Sequence, residues 1–236
     1  MYATVERACS GYLLDIDGRK VVLDIGGGVW RNLLPICDFT GIDGIVLSHR
    51  HPDHTVDLFQ MFHARRYGAP EALPTLPLWA PVETIDRIVG FAKELDEAFD
   101  LNVVGDEDTI DLFGAKASFT QMAHPPETLG CRIESGGRVL AYSADTGPAA
   151  DFQRLAGNAD LFLCEATYQE GDEEWEGHLT ATQAASITSS VGARHLVLTH
   201  LPPGRDAGLT LAQAQKAAGD VQVQLAVDGL QLEVKE

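Results

Sequence analysis

Apolar and polar residues alternate along this chain with two different periods, and the changes from one period to the other mark its elements. Apolar runs bounded by Gly and Asp at Gly11 to Ile16, Lys20 to Ile25 and Gly44 to Leu47 predict strands, the first two joined as a hairpin by Asp17-Gly18. From Asp53 to Tyr67 the apolar residues Val56, Phe59 and Phe62 recur at helical spacing, and Pro52 suits a helix entrance. The Pro-rich stretch Gly68 to Pro81 reads as a closing loop, Pro81 to Phe99 as a second amphipathic helix, and the acidic, turn-rich Asp100 to Gly114 as a seam. Beyond the seam the pattern begins again, with strands predicted at Ala117 to Met122, Gly130 to Glu134, Arg138 to Ser143, Leu161 to Glu165 and His195 to Thr199. Helices fall between them, and two open with the Thr-x-x-Gln form of a capping box, at Thr180 to Gln183 and Thr210 to Gln213. Two strand-rich halves, each carrying helices, imply an α/β sandwich of two sheets with helices outside, one domain over 1–236 made of two similar halves.

Charge narrows the partners. Against 17 Lys and Arg stand 35 Asp and Glu, a formal net charge of -18 that repels a phosphate backbone, so long nucleic acids are poor candidates. No apolar run approaches the length of a membrane span, and Met1 to Gly11 lacks the basic-then-apolar pattern of a secretory signal, so the expected compartment is the cytoplasm. The four cysteines, Cys9, Cys37, Cys131 and Cys164, show no C-x-x-C pairing and read as reduced, packed thiols.

The segment Ser48-His49-Arg50-His51-Pro52-Asp53-His54 sets three imidazoles and a carboxylate directly after a short buried strand. His49 and His51, two apart at a strand end, project to one side and can share a cation, while Asp53 and His54 begin a helix and can face a second one. Further ligands are expected at the same position type, where a buried strand meets its loop: His124, Asp145 and His200. Asp145 suits a bridge, because one carboxylate can bind two cations and reduce their repulsion. Such donors favour zinc, with manganese or iron as alternatives. Asp24, in Leu23-Asp24-Ile25-Gly26-Gly27-Gly28, reads either as an acceptor that orients a ligand His or as a turn residue. The triple Gly lacks the spacing of a phosphate loop. Glu165 and His178 form a further pair: if the acidic loop between them folds back, Glu165 orients His178 to donate a proton or hydrogen bond to a leaving group. His63 and His195 read as structural.

Taken together these motifs resemble the metallo-β-lactamase superfamily, and within it the ribonuclease Z branch and related bacterial phosphodiesterases. The likeness runs through Leu23 to Gly28, Ser48 to His54, His124-Pro125, Tyr142 to Gly147, Cys164 to Thr167, Gly177 to Thr180 and Leu198 to His200. It implies an αββα four-layer sandwich with two metals at one edge of the sheets. His49, His51 and His124 would bind one metal, Asp53, His54 and His200 the other, with Asp145 bridging. Thr128 matches a position where the family keeps a small hydroxyl toward substrate phosphate. Thr199-His200-Leu201-Pro202-Pro203 is similar to an atypical class of bacterial cyclic-AMP phosphodiesterases. Two departures stand out: the connection from His124 to Asp145 is too short for the basic arm of tRNA-processing enzymes, and Met1 to Cys9 is too short for the usual first strand and Gly-Ser-rich loop.

The expected activity is therefore metal-assisted hydrolysis of a small phosphodiester such as a cyclic nucleotide, with Asp53 accepting a hydrogen bond from the attacking water and His178 serving the departing oxygen. Rivals are a tRNA 3′ endonuclease, disfavoured by the missing arm and the charge, and a lactone or thioester hydrolase on the same metals. A metal-binding sensor without turnover is disfavoured by the complete ligand set. The resemblance also allows a homodimer.

Overall fold

The structure, a computed structural model, describes residues 1–69, 71–173 and 175–235. Two compact units divide the chain, Met1–Gly105 and Asp106–Glu236, the boundary falling inside the acidic stretch 100–114. Each unit holds one sheet with helices packed on it, so the chain is mixed α/β with two sheets. No helix among the described residues is long and apolar enough to cross a membrane.

In the first unit, β1 (Tyr12–Ile16) and β2 (Arg19–Leu23) form the expected hairpin. Its turn holds Asp17 and Gly18 at φ 50° and 87°, the left-handed pair that a two-residue hairpin needs. Then follow β3 (Gly44–Val46), β4 (Leu76–Ala80) and β5 (Phe99–Val103), all parallel to β2, in the order β1-β2-β3-β4-β5. Among the described residues no strand precedes β1. The core joins Val22, Ile45 and Leu78 of the sheet to Val29 and Leu33 of α1 (Val29–Leu33), to Leu58 and Met61 of the helix Leu58–His63, and to Ile88 of the helix Val82–Phe91.

Three expectations need correcting here. The helix from Asp53 to Tyr67 is broken into α2 (Pro52–Thr55), α3 (Leu58–His63) and a π turn at Ala64–Gly68. The loop from Gly68 to Pro81 contains β4, whose Pro77 disguised an alternation in which Leu76, Leu78 and Ala80 are buried. The helix to Phe99 ends at Phe91 as α4 (Val82–Phe91), followed by a 3₁₀ turn (Lys93–Glu97) and by β5.

The second unit runs β6 (Thr109–Leu112), β7 (Ala115–Gln121), β8 (Leu129–Ser135), β9 (Arg138–Tyr142), α5 (Phe152–Ala156), β10 (Leu161–Glu165), α6 (Ala181–Ser190), β11 (His195–Thr199), α7 (Ala207–Ala217) and β12 (Gln222–Leu225). Its sheet order is β12-β11-β10-β9-β8-β7-β6, antiparallel from β6 to β9 and parallel from β9 to β12. Phe162, Leu196 and Leu198 meet Leu155, Ala184 and Ala214 of the three helices in its core. The capping box at α6 forms as read, with both Thr180 and Gln183 bonds in place. At α7 it does not: Asp206 caps the helix one turn earlier, accepting from Leu209 N at 3.1 Å, and Thr210 lies inside. An aspartate accepts as readily as a threonine, so the earlier candidate wins.

Candidate metal centre

Parallel strands deliver their ends to one edge of a sheet, and both units use that edge. In the first unit Asp24 follows β2 and Leu47 to His49 follow β3. In the second, Met122 to His124, Ser143 to Asp145, Ala166-Thr167 and His200 leave β7, β9, β10 and β11, which all run the same way. Asp24, Ala144 and His200 sit at left-handed φ of 54°, 52° and 57°. Each such turn costs about 1–2 kcal/mol in a residue with a Cβ. At Asp24 the hydrogen bonds to its carboxylate, at about 1.5–3 kcal/mol each, offset it.

In the first unit His49, Asp53 and His54 are buried and His51 is half-buried. Asp24, fully buried, accepts from Ser48 N (2.7 Å), Ser48 Oγ (2.7 Å) and His54 Nδ1 (2.7 Å). Of the two readings of Asp24, the orienting acceptor is therefore the one that holds. Counting protons fixes the rings. Ser48 has one hydroxyl proton and gives it to Asp24, so at 3.0 Å it can only accept from His49 Nδ1. Both His49 and His54 thus carry the proton on Nδ1 and keep the Nε2 lone pair for a ligand. His49 Nε2 lies 3.0 Å from His51 Nδ1, and His54 Nε2 3.9 Å from Asp53 Oδ2. Gly26 explains the glycine run: a Cβ there would meet the Asp53 carbonyl oxygen at 1.9 Å, so only Gly lets this segment lie against the helix that carries Asp53 and His54.

The second unit repeats the device. Glu165, fully buried at the end of β10, accepts from His178 Nδ1 (2.7 Å), Thr146 N (2.7 Å) and Thr167 Oγ1 (2.7 Å), with Thr167 N and Leu179 N at 3.2 Å. Thr167 has given its proton to Glu165 and accepts from His200 Nδ1 at 2.9 Å. His124 Nδ1 donates to Gly177 O at 2.8 Å. His200 and His124 therefore also present Nε2, at 3.2 Å from Asp145 Oδ1 and 3.9 Å from Asp145 Oδ2. One oxygen of Asp145 serves each ring, as a bridging carboxylate requires. Gly147 is again a place for Gly alone, since a Cβ would lie 1.6 Å from Glu176 O.

Electrostatics separates the two kinds of histidine. Burial pushes the His124 pKa down, more than the Gly177 hydrogen bond raises it, and keeps the ring neutral, as a ligand must be. Burial acts the same way on His178, but the hydrogen bond and charge of Glu165 together overcome it and the pKa rises. The raised pKa makes His178 a candidate proton donor, and its ring also stands with Glu165 and His200 in a group that could hold a metal ion.

Thr128 is fully buried and its hydroxyl donates to Pro126 O at 2.9 Å. Ser48 and Thr167 carry the tautomers, and the sequence reading had given neither a role; hydroxyls beside ligand motifs are the signal that could have found them. Trp175 also escaped it. Its ring meets His124 and His178 edge-on, at 5.4 and 5.5 Å between centroids. His63 and His195 lie outside both clusters, beside Tyr67 and Gln224 respectively. All four cysteines are free thiols.

The donor sets fit a divalent cation. Two imidazole nitrogens on a tetrahedral zinc lie about 3.3 Å apart, close to the 3.0 Å between His49 and His51. The chain carries His/Asp clusters that suggest a metal site.

Known proteins share these features. Residues 19–201 match the beta-lactamase superfamily domain, and the chain belongs to that superfamily. It is a metal-dependent hydrolase with the metallo-β-lactamase fold, as its motifs imply. The chain is 34% identical to ML1173 of Mycobacterium leprae over 230 residues, covering 93% of this chain and 80% of that protein. It is 27% identical to the probable metallo-hydrolase YhfI of Bacillus subtilis over 213 residues, 85% of this chain and 83% of YhfI. The crystal structure of YhfI superposes with a TM-score of 0.87 at 24% identity, over 96% of this chain and 92% of YhfI. A diphosphatase of the PhnP family superposes at 0.76, 25% identical over 95% of this chain and 84% of its own. Ribonuclease Z enzymes are among the further relatives.

Proposed function

We propose that this chain is a dinuclear phosphodiesterase that hydrolyses a small phosphodiester such as a cyclic nucleotide. The observation that carries the reading is the Glu165–His178 pair, 2.7 Å apart, with the His178 pKa raised. Hydrolysis of a phosphodiester expels an alkoxide, whose proton must come from somewhere; a carboxylate-backed imidazolium supplies it. Related proteins that break P–O bonds, a diphosphatase and ribonuclease Z enzymes, support the same chemistry.

The reading requires the donors of both units to converge, His49, His51 and His124 holding one ion, Asp53, His54 and His200 the other, and Asp145 both, zinc being the ion these donors favour. Bound there, the ions supply Lewis acidity and lower the pKa of water toward neutrality. Asp24, Ser48, Gly177 and Thr167 hold the ligand rings by their Nδ1 protons. Asp53 accepts a hydrogen bond from the attacking water and aims it. As the water oxygen bonds to phosphorus and releases a proton to solvent, the P–O bond to the 3′ oxygen breaks, His178 gives its proton to that oxygen, and a 5′-nucleotide leaves.

The test is release of 5′-nucleotide from cyclic nucleotides, or of aryl alcohol from bis-aryl phosphodiesters, by zinc- or manganese-loaded protein. Inert metal-loaded protein contradicts the proposal. Precursor tRNA, lactones and thioesters run in parallel; turnover of those alone replaces it with the corresponding rival.

A further inference from the structure

At the other end of the first sheet lies a cavity of about 220 Å³ lined by Arg65, Arg66, Leu73, Pro74, Glu97 and Ala98, among others. Pro74 and Ala98 precede the starts of β4 and β5, whereas the His49 to His54 motif follows the end of β3, which runs parallel to both. The cavity is therefore separate from the metal ligands of this unit.

Arg65 is 6% exposed, unusual for a guanidinium. Its Nη2 donates to Pro74 O at 2.7 Å and its Nη1 to Phe39 O at 3.4 Å, both neutral acceptors. Among the described residues no carboxylate pairs with it and its Nε has no acceptor. A buried charge without a counter-ion is costly, and guanidinium does not escape by losing its proton. Arg66 beside it pairs with Glu97. The cavity thus carries two cations and one anion, a net +1 within a chain of -18. Leu73, Pro74 and Ala98 supply apolar wall. At about 30 Å³ per water, the space equals roughly seven waters, enough for a small organic molecule.

We propose that this cavity binds a small aliphatic monocarboxylate, whose carboxylate pairs with Arg65 and Arg66 while its chain lies along Leu73 and Ala98. A single negative charge matches the net +1 of the site, and the Arg65 Nε, which has no acceptor, is the donor a carboxylate oxygen would satisfy. An apolar lining with a few charged groups is the composition of a ligand site, here a small one.

Titrating hexanoate into the full-length protein tests this, followed by amide chemical shifts, with inorganic phosphate as a comparison anion. Saturable shifts are expected at Ala72 to Leu73 and Glu97 to Ala98. Affinity should fall at least about tenfold in Arg65→Lys, which keeps the charge and loses the fork, and several-fold in the surface variant Arg66→Gln. Leu73→Trp, which fills the space, should abolish it. Binding should persist in His54→Ala, which separates this site from the metal centre. Absence of saturable shifts, shifts unmoved by Arg65→Lys and Leu73→Trp, or binding of phosphate in preference to hexanoate would each overturn the proposal.

Discussion

The two units solve one problem with one device and put it to different ends. In the first, buried Asp24 holds His54 directly and His49 through the Ser48 hydroxyl. In the second, buried Glu165 holds His178 directly and His200 through the Thr167 hydroxyl. Carboxylate, hydroxyl and imidazole form the same chain in both, and the proton on Nδ1 of the second ring follows from it. The directly held ring is where they part. His54 is a ligand candidate deep in its cluster, fully buried; His178 retains some exposure and a raised pKa. One arrangement of carboxylate, hydroxyl and imidazole thus recurs, and under the proposed function it holds a metal ligand in one place and a proton donor in the other.

Breaking the difference should cost most. His178→Ala removes the proton donor, and turnover of a phosphodiester with a poor leaving group should fall about 10²–10⁴-fold, while bound metal stays unchanged by elemental analysis. A substrate with a nitrophenolate leaving group, which needs no proton, should suffer far less. Equal loss on both substrates would place His178 outside the acid role.

Breaking the common device should cost less, and equally in the two units. Ser48→Ala and Thr167→Val each free one ligand ring to take the other tautomer, and each should lower metal affinity or activity about 10–100-fold, read by competition with a chelator. Loss in only one variant would deny the equivalence.

A third experiment sharpens the contrast through pH. Because Glu165 raises the His178 pKa, the acid-competent form persists above the ordinary histidine value, and activity is lost as pH rises through the raised pKa. Glu165→Gln removes the charge, so this alkaline limb should move to lower pH in the kcat profile. An unmoved limb assigns it to another group. The smallest effect is structural: Gly26→Ala must displace the Asp53 carbonyl and should cost about 1–3 kcal/mol in denaturant unfolding. No loss would mean the segment is free to shift.

How much of this could be read from the residues differs between strands and contacts. β1, β2 and β3 are legible because apolar runs bounded by Gly and Asp leave little choice, and β7 to β11 because short apolar runs recur there, several of them ending at or just before His124, Asp145, Glu165 or His200. β4 was hidden by Pro77. The rest of the β5–β6 region was hidden by acidic residues such as Asp100 and Asp111, which point out of half-buried strands. β12 alternates Gln222, Val223, Gln224 and Leu225, but it is only 4 residues long and none of them is fully buried, so its apolar signal is short and weak. Helix α2 stops at Thr55 although the periodicity continues, because backbone bonds from Asp57 N to Ile25 O and from Ile25 N to His54 O tie it to the β2 exit. Such ties are tertiary, as are the left-handed turns at Asp24 and His200 and the tautomers set by Ser48 and Thr167. A sequence shows which residues can bind metal; only packing shows which nitrogen is turned toward it.

The central claim is that the two clusters together hold two ions, and metal content tests it most directly. After loading with zinc and removal of excess by gel filtration, the wild-type chain should retain about two ions, and His49→Ala or His200→Ala about one. Retention of one ion or none by the wild type, or of two by both variants, would contradict the account.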